Sequence, residues 1–128
     1  MHDVVIAPLV GPEVVTGSTR MKAGTATKLV LNTITTAAMV RLGKVHGNLM
    51  VDLQVTCQKL QDRAERILIQ ILDLDPPLAG ALLQAAGGEV KTALVMHRAE
   101  VGADVARQRL DEADGVVGRV VSLPGALR

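Results

Sequence analysis

The segment Thr19 to Leu42 constrains the fold more than any other part of the chain. It reads as one long helix that is apolar on most of its faces and stops at Gly43, a residue suited to the left-handed turn that closes helices. That pattern calls for burial. The material for a core is limited. The chain has no Phe, Trp or Tyr, so the interior must come from Leu, Val, Ile, Ala and Met. Close packing through Ala and Gly has to replace the large burial that aromatic rings bring. The most apolar part, residues 29–40, holds threonines and an asparagine and is too short to span a bilayer. No membrane partner is expected.

Ahead of the helix, Val4 to Leu9 reads as a buried strand interrupted at Pro8. A β-branched run without alternation suits a strand covered on both faces in a parallel sheet. No other strand of that kind exists in the chain. Between strand and helix, Gly11 to Lys28 is rich in Gly, Pro, Ser and Thr. Anion sites are often built this way. Small residues let the backbone approach, hydroxyls donate, and the helix N-terminus offers unpaired N–H groups and a partial positive charge. Ser18 and Thr19 are the candidate hydroxyls. Lys22 falls in the first helical turn, where a cation opposes the helix dipole, a misfit that favours a purpose. Arg20 and Lys28 suit an anion or a surface equally. Glu13 is the odd member: a phosphate would repel it, so it better faces sugar hydroxyls or a proton in transit. The spacing fits neither the Walker loop nor the dinucleotide fingerprint. The plainer alternative, a loop whose Ser18 or Thr19 caps the helix, stays open.

Further on, Lys44 to Asn48 reads as a turn that Asn48 and Asp52 fix through side chain–backbone bonds, and Leu49 to Val55 as extended or irregular chain. A second helix runs from about Thr56 to Leu72, with Leu60, Ala64, Ile67, Leu68 and Ile71 on one face and Lys59, Asp62, Arg63, Glu65 and Arg66 opposite. Asp73 to Pro77 breaks the pattern, and Pro76-Pro77 reads as a linker. Short helices follow at Leu78–Ala86, Glu89–Arg98 and Gly102–Ala113, with a last turn over Val116–Leu123. The chain thus divides into residues 1–74 and 75–128. The second part is a small three-helix domain whose core is marginal at that size.

Charge is nearly balanced, with a formal net of +1. That excludes the basic field of a nucleic-acid binder, and the missing aromatics remove base-stacking platforms. Arg41 and Lys44 read as part of a solvated helix face. His2, His46 and His97 have no metal spacing: His46 reads as packing and His97 as helix surface, and no metal or cofactor is expected. The single cysteine, Cys57, excludes an internal disulfide, fits a reducing cytoplasm and reads as a small buried apolar residue. The Met1-His2-Asp3 start has no basic region of a signal peptide.

The stretch Gly-Pro-Glu-Val-Val-Thr-Gly-Ser-Thr-Arg-Met-Lys-Ala-Gly-Thr-Ala from Gly11, and Gly-Asn-Leu-Met-Val-Asp from Gly47, resemble the C-terminal signature of the N-acetylmuramic acid 6-phosphate etherases. These belong to the sugar isomerase (SIS) fold family of phosphosugar-binding proteins. The likeness covers about Val4 to Val121. It implies a mainly α chain: the end of an SIS α/β parallel-sheet domain, with one N-terminal strand and a long buried helix, followed by a small three-helix domain similar to ubiquitin-associated (UBA) domains. It implies a phosphorylated amino sugar as ligand, with Glu13, Ser18, Thr19 and Lys22 as substrate-binding residues. It also implies self-association, as a dimer, in the cytoplasm. The family's reaction is cleavage of the lactyl ether by elimination and addition of water, worked by two carboxylates. The glutamates in those roles lie upstream of the Gly11-Pro12-Glu13 segment and match no position here, so no catalytic residue is assigned and the chain alone is expected to be silent. The animal glucokinase regulatory protein resembles the same segment less closely. That leaves a non-catalytic phosphosugar sensor, or a helical protein-interaction module, as alternatives.

Overall fold

A computed structural model of the chain describes residues 3–124. His2 and residues 125–128 lie outside them. The fold is mainly helical, as expected. In order come α1 (Lys22–Arg41), a two-stranded hairpin of β1 (Val45–His46) and β2 (Leu49–Met50), then α2 (Gln58–Leu72), α3 (Pro76–Ala85), α4 (Val90–Ala99), α5 (Ala103–Glu112) and α6 (Val117–Val120). Two compact units form, Met1–Ala38 and Met39–Arg128.

The first unit corrects two expectations. Residues 4–9 form no strand. They are exposed, with Val4 at 77% and Leu9 at 100%. A strand persists only when a neighbour pairs its backbone groups, and among the described residues none does so. The helix is present but not buried: none of the 20 residues of α1 is. Two of its five threonines bond back onto the helix. The Thr27 hydroxyl donates to the Ala23 carbonyl at 2.9 Å, and that of Thr35 to the Leu31 carbonyl at 2.9 Å. Both are satisfied within the helix and need no water.

The second unit holds the core. It opens on Gly43, whose φ of +68° lets the chain leave α1 while its N–H reaches the Val40 carbonyl at 3.0 Å. A Cβ at Gly43 would stand 2.8 Å from Val116 Cγ2, so close approach and backbone conformation both demand glycine. The hairpin pairs Val45 with Met50 and His46 with Leu49 in antiparallel register. α2 then buries Ala64, Ile67, Leu68, Ile71 and Leu72. These are the apolar positions read from its periodicity, except that Leu60 is only half-buried and Leu72 is added. α2 ends at Asp73 in the left-handed conformation, its N–H bonded to the Ile69 carbonyl. Pro76 and Pro77 are not a linker. They occupy the first positions of α3, where a missing N–H costs nothing. The break at Asp73–Pro77 is thus a tight corner between two helices that feed the same core. α4 is its centre: Val90, Ala93, Leu94 and Val95 have no exposed surface, and Ala79, Leu83, Ala106, Leu110 and Val117 pack around them. Cys57 is exposed, not buried. It stands outside α2 with extended backbone, ahead of the helix's inward face.

Candidate functional site

In the first unit, the loop before α1 brings part of the predicted constellation together. Gly11 and Gly17 turn it with φ of +71° and +82°. Glu13 then folds back onto the helix start: its Oε2 accepts the Lys22 N–H at 3.1 Å and its Oε1 the Ala23 N–H at 3.0 Å. The free amides that an anion would use are held by the chain's own carboxylate, a favourable charge for that end of a helix. The Lys22 ammonium turns away to donate to the Pro12 carbonyl at 2.9 Å. Ser18 Oγ accepts the Arg20 N–H at 3.3 Å, a local turn. Thr19 is exposed. The geometry joins Glu13 to Lys22 directly and leaves Ser18 and Thr19 beside them. Glu13 thus occupies the first amides of α1 as a helix cap supplied from the loop.

A second cluster, in the other unit, is one that sequence reasoning largely missed. A cleft of about 510 Å³ is lined by Lys44, Asp52, Glu89, Lys91, Thr92 and Arg107, among others. Asp52 sits between two ammonium groups. Lys91 Nζ meets its Oδ1 at 2.8 Å, and Lys44 its Oδ2. Burial pushes the Asp52 carboxyl up, but the hydrogen bonds and charges of Lys44 and Lys91 outweigh it and hold the group below its usual value. Across the cleft, Glu89 Oε2 accepts from Arg107 Nε at 2.8 Å and from the Thr92 hydroxyl at 2.8 Å. Burial again raises, and these donors lower, its carboxyl, with a net shift downward. Arg107 also donates to the Ala86 carbonyl at 3.2 Å, tying the end of α3 to α5.

The expectation for Asp52 is that it fixes the turn after the long helix through backbone bonds, and for Lys44 that it lies on a solvated face. Instead they pair with each other, because the antiparallel register returns the chain beside Lys44: the Val51 and Asp52 amides both reach its carbonyl, at 3.1 and 3.3 Å. Lys91 carried one legible signal, a cation in the first turn of a helix against the dipole, the same misfit that drew attention to Lys22. His46 is packing, as read. It is buried, and its Nε2 donates to the Pro124 carbonyl at 2.7 Å. His97 is on the surface. Among the described residues, no three His, Cys, Asp or Glu side chains converge as a metal site, and no single helix is long and apolar enough to cross a membrane.

No protein-family model matches the chain. Individual relatives do, and they share one name. The N-acetylmuramic acid 6-phosphate etherase of Rhodopirellula baltica is 51% identical over 124 residues, 97% of this chain and 41% of that protein. That of Salinibacter ruber is 59% identical over 115 residues, 90% of this chain and 37% of the relative. That of Gloeobacter violaceus is 62% identical over 95 residues, 74% of this chain and 31% of the relative. The chain spans about two fifths of the length of the first two. With half or more of its residues shared across nearly its whole length, the chain belongs by sequence to the N-acetylmuramic acid 6-phosphate etherases, of which it holds a part.

Proposed function

We propose that the chain is the C-terminal portion of a carbon–oxygen lyase of peptidoglycan amino-sugar recycling. The whole enzyme would cleave the D-lactyl ether of N-acetylmuramic acid 6-phosphate to N-acetylglucosamine 6-phosphate and D-lactate. The observation that carries this reading is the identity of 51% over 97% of the chain to an etherase so named. The bare helix α1 supports it. A helix apolar on most of its faces, with no residue buried, suits a piece whose cover lies in the remaining polypeptide.

On this reading residues 1–74 are the end of an SIS parallel-sheet domain, and residues 4–9 become its last strand once neighbours are present. Residues 75–128 form the family's small UBA-like unit, packed on α2. Glu13, Ser18, Thr19 and Lys22 line the substrate's side of the loop. The amides now on Glu13 are available to a sugar phosphate if that carboxylate moves to the sugar hydroxyls. Elimination and hydration need two carboxylates of separated pKa, and these come from upstream sequence. The isolated chain works no chemistry and buries α1 against copies of itself. The enzyme is cytoplasmic, where the phosphorylated sugar is held.

Incubating the chain with N-acetylmuramic acid 6-phosphate and assaying lactate tests the assignment: no turnover is expected, and turnover overturns the silent-portion reading. Sedimentation equilibrium tests the rest. A dimer that tightens with N-acetylglucosamine 6-phosphate is the expected result, and a monodisperse monomer indifferent to ligand refutes self-association.

A further inference from the structure

The segment that follows α5 is held differently from the rest of the second unit. α6 is only four residues long, and at Val121 the backbone turns extended, with φ of −139° and ψ of 148°. Beyond that point, among the described residues, no backbone–backbone hydrogen bond reaches Ser122, Leu123 or Pro124. Two anchors remain. The Leu123 side chain is buried between the exposed Ser122 and Pro124. The Pro124 carbonyl accepts from Nε2 of His46, 78 residues earlier in the chain, and that imidazole is buried too. Just ahead of α6 the same segment crosses the exit of α1. A Cβ on Gly43 would stand 2.8 Å from Val116 Cγ2 and 3.1 Å from the Gly115 carbonyl oxygen. A hollow of about 180 Å³ separates the two sides, lined by Val40, Gly43, Val45, His46, Val116 and Gly118, among others.

We propose that residues 115–124 form a clasp over the junction of α1 and the hairpin, seated by Leu123 and latched by His46, and that this clasp opens while the rest of the unit stays folded. A segment without ladder bonds, kept in place by one apolar side chain and one hydrogen bond, opens at a lower free energy than the helices of the core. Opening uncovers His46 and removes the wall that Val116 gives to Gly43. The bonds that close the end of α1 then lose their cover. These are the Gly43 N–H to the Val40 carbonyl at 3.0 Å and the Lys44 N–H to the Met39 carbonyl at 3.1 Å. The closed clasp fixes the exit of α1, and the open clasp releases it. This device rests on the geometry of the second unit, so a failed ether-cleavage assay leaves it standing.

Amide hydrogen exchange of the 128-residue chain, followed residue by residue by NMR at several urea concentrations, tests it. Gly43, Lys44 and Val121 lie on the two sides of the clasp. Their amides should share one opening equilibrium, about tenfold or more larger than that of Leu68 and Leu94 and nearly independent of urea. Leu123→Ala should speed the three about tenfold or more. His46→Ala should speed them up to about tenfold, the worth of one hydrogen bond, and His46→Gln, which keeps a donor for the Pro124 carbonyl, should restore most of the protection. The His46 pair carries the test should Leu123→Ala not fold. Ile71→Val, inside α2, should speed Leu68 and Leu94 about threefold and leave the three clasp amides where they were. Three results overturn the proposal: clasp amides that follow the core in rate and urea dependence, Val121 responding without Gly43 and Lys44, or Ile71→Val speeding all five alike. The second would make the segment a tail that holds nothing, and the third would make it an ordinary part of the core.

Discussion

Helices α1 and α2 are both regular and uninterrupted, and the more apolar of the two is the one that buries nothing. α1 exposes Leu29, Leu31, Ile34, Met39 and Val40 around its circumference. α2 places five of its 15 residues in the core and turns Lys59, Arg63 and Arg66 outward. Hydrophobic surface creates a demand for burial. Only a complementary surface meets it: the second unit supplies one for α2, while among the described residues none of α1 is buried. A helix with one apolar stripe can be completed by a few short neighbours such as α3 and α4. A helix that is apolar on most of its faces needs several layers.

The largest expected effect follows from that contrast. Leu68→Ala, at a side chain with no exposed surface, should cost about 2–5 kcal/mol in urea unfolding, the range for emptied core sites. Leu31→Ala, at a side chain 56% exposed in the single chain, should fall within about 0.5 kcal/mol of zero at dilutions where the chain is a monomer. If the two substitutions cost the same, α1 is covered in solution by another copy of the chain, and the contrast belongs to the single chain only.

Next in size is Gly43→Ala, which probes the hinge by which the chain leaves α1. The new Cβ meets Val116 Cγ2 at 2.8 Å on a backbone with φ of +68°, and a strained position of that sort costs about 1–3 kcal/mol. The loss should show in the second unit's unfolding midpoint. An unchanged midpoint would mean that the closure at Gly43 is independent of the core.

Much of the second unit was legible because its residues repeat at helical spacing and its neighbours lie within the chain. Ala64, Ile67, Leu68 and Ile71 were read from spacing alone, and the helix starts and stops fell within a few residues. What spacing could not supply was pairing across sequence. The meeting of Lys44, Asp52 and Lys91 depends on a hairpin register and on the approach of α4, neither of which leaves a local mark. In the first unit the failure had another cause. The pattern of Val4 to Leu9 records the environment of a parallel sheet, and a pattern persists in sequence whether or not the partner strands are present. Glu13 was singled out for a cleft and was found on the helix start, since nine residues of loop hide a cap that usually sits one residue before its helix.

A smaller effect separates the electrostatics of the core-bearing unit from its packing. Asp52 is held below its ordinary value, so its pairing stabilises the fold fully above the unfolded-state value of about 3.9 and is lost as pH falls through the lower folded value. The acid limb of a stability–pH curve should therefore flatten in Asp52→Asn, by about 1 kcal/mol or less given the partial exposure of the pair. A limb that stays as steep in the variant would assign the acid sensitivity to Glu89.

The smallest effect belongs to the first unit, and there a global measurement is blind. Glu13→Ala removes the carboxylate from the Lys22 and Ala23 amides. Loss of a helix cap ordinarily costs about 0.5–2 kcal/mol, but α1 has no core to transmit that loss to the unfolding midpoint. The change should appear as faster hydrogen exchange at Lys22 to Thr25, with α2 and α4 unaffected. Glu13→Gln keeps one acceptor oxygen and should fall between the two. Equal exchange in all three chains would give the capping role to Ser18, whose Oγ already holds the Arg20 amide. It would also leave the Glu13 carboxylate free for the sugar-facing role that its place in the loop suggests. Faster exchange in Glu13→Ala instead makes that carboxylate the anion of an unliganded helix start, and any phosphate bound there must first displace it.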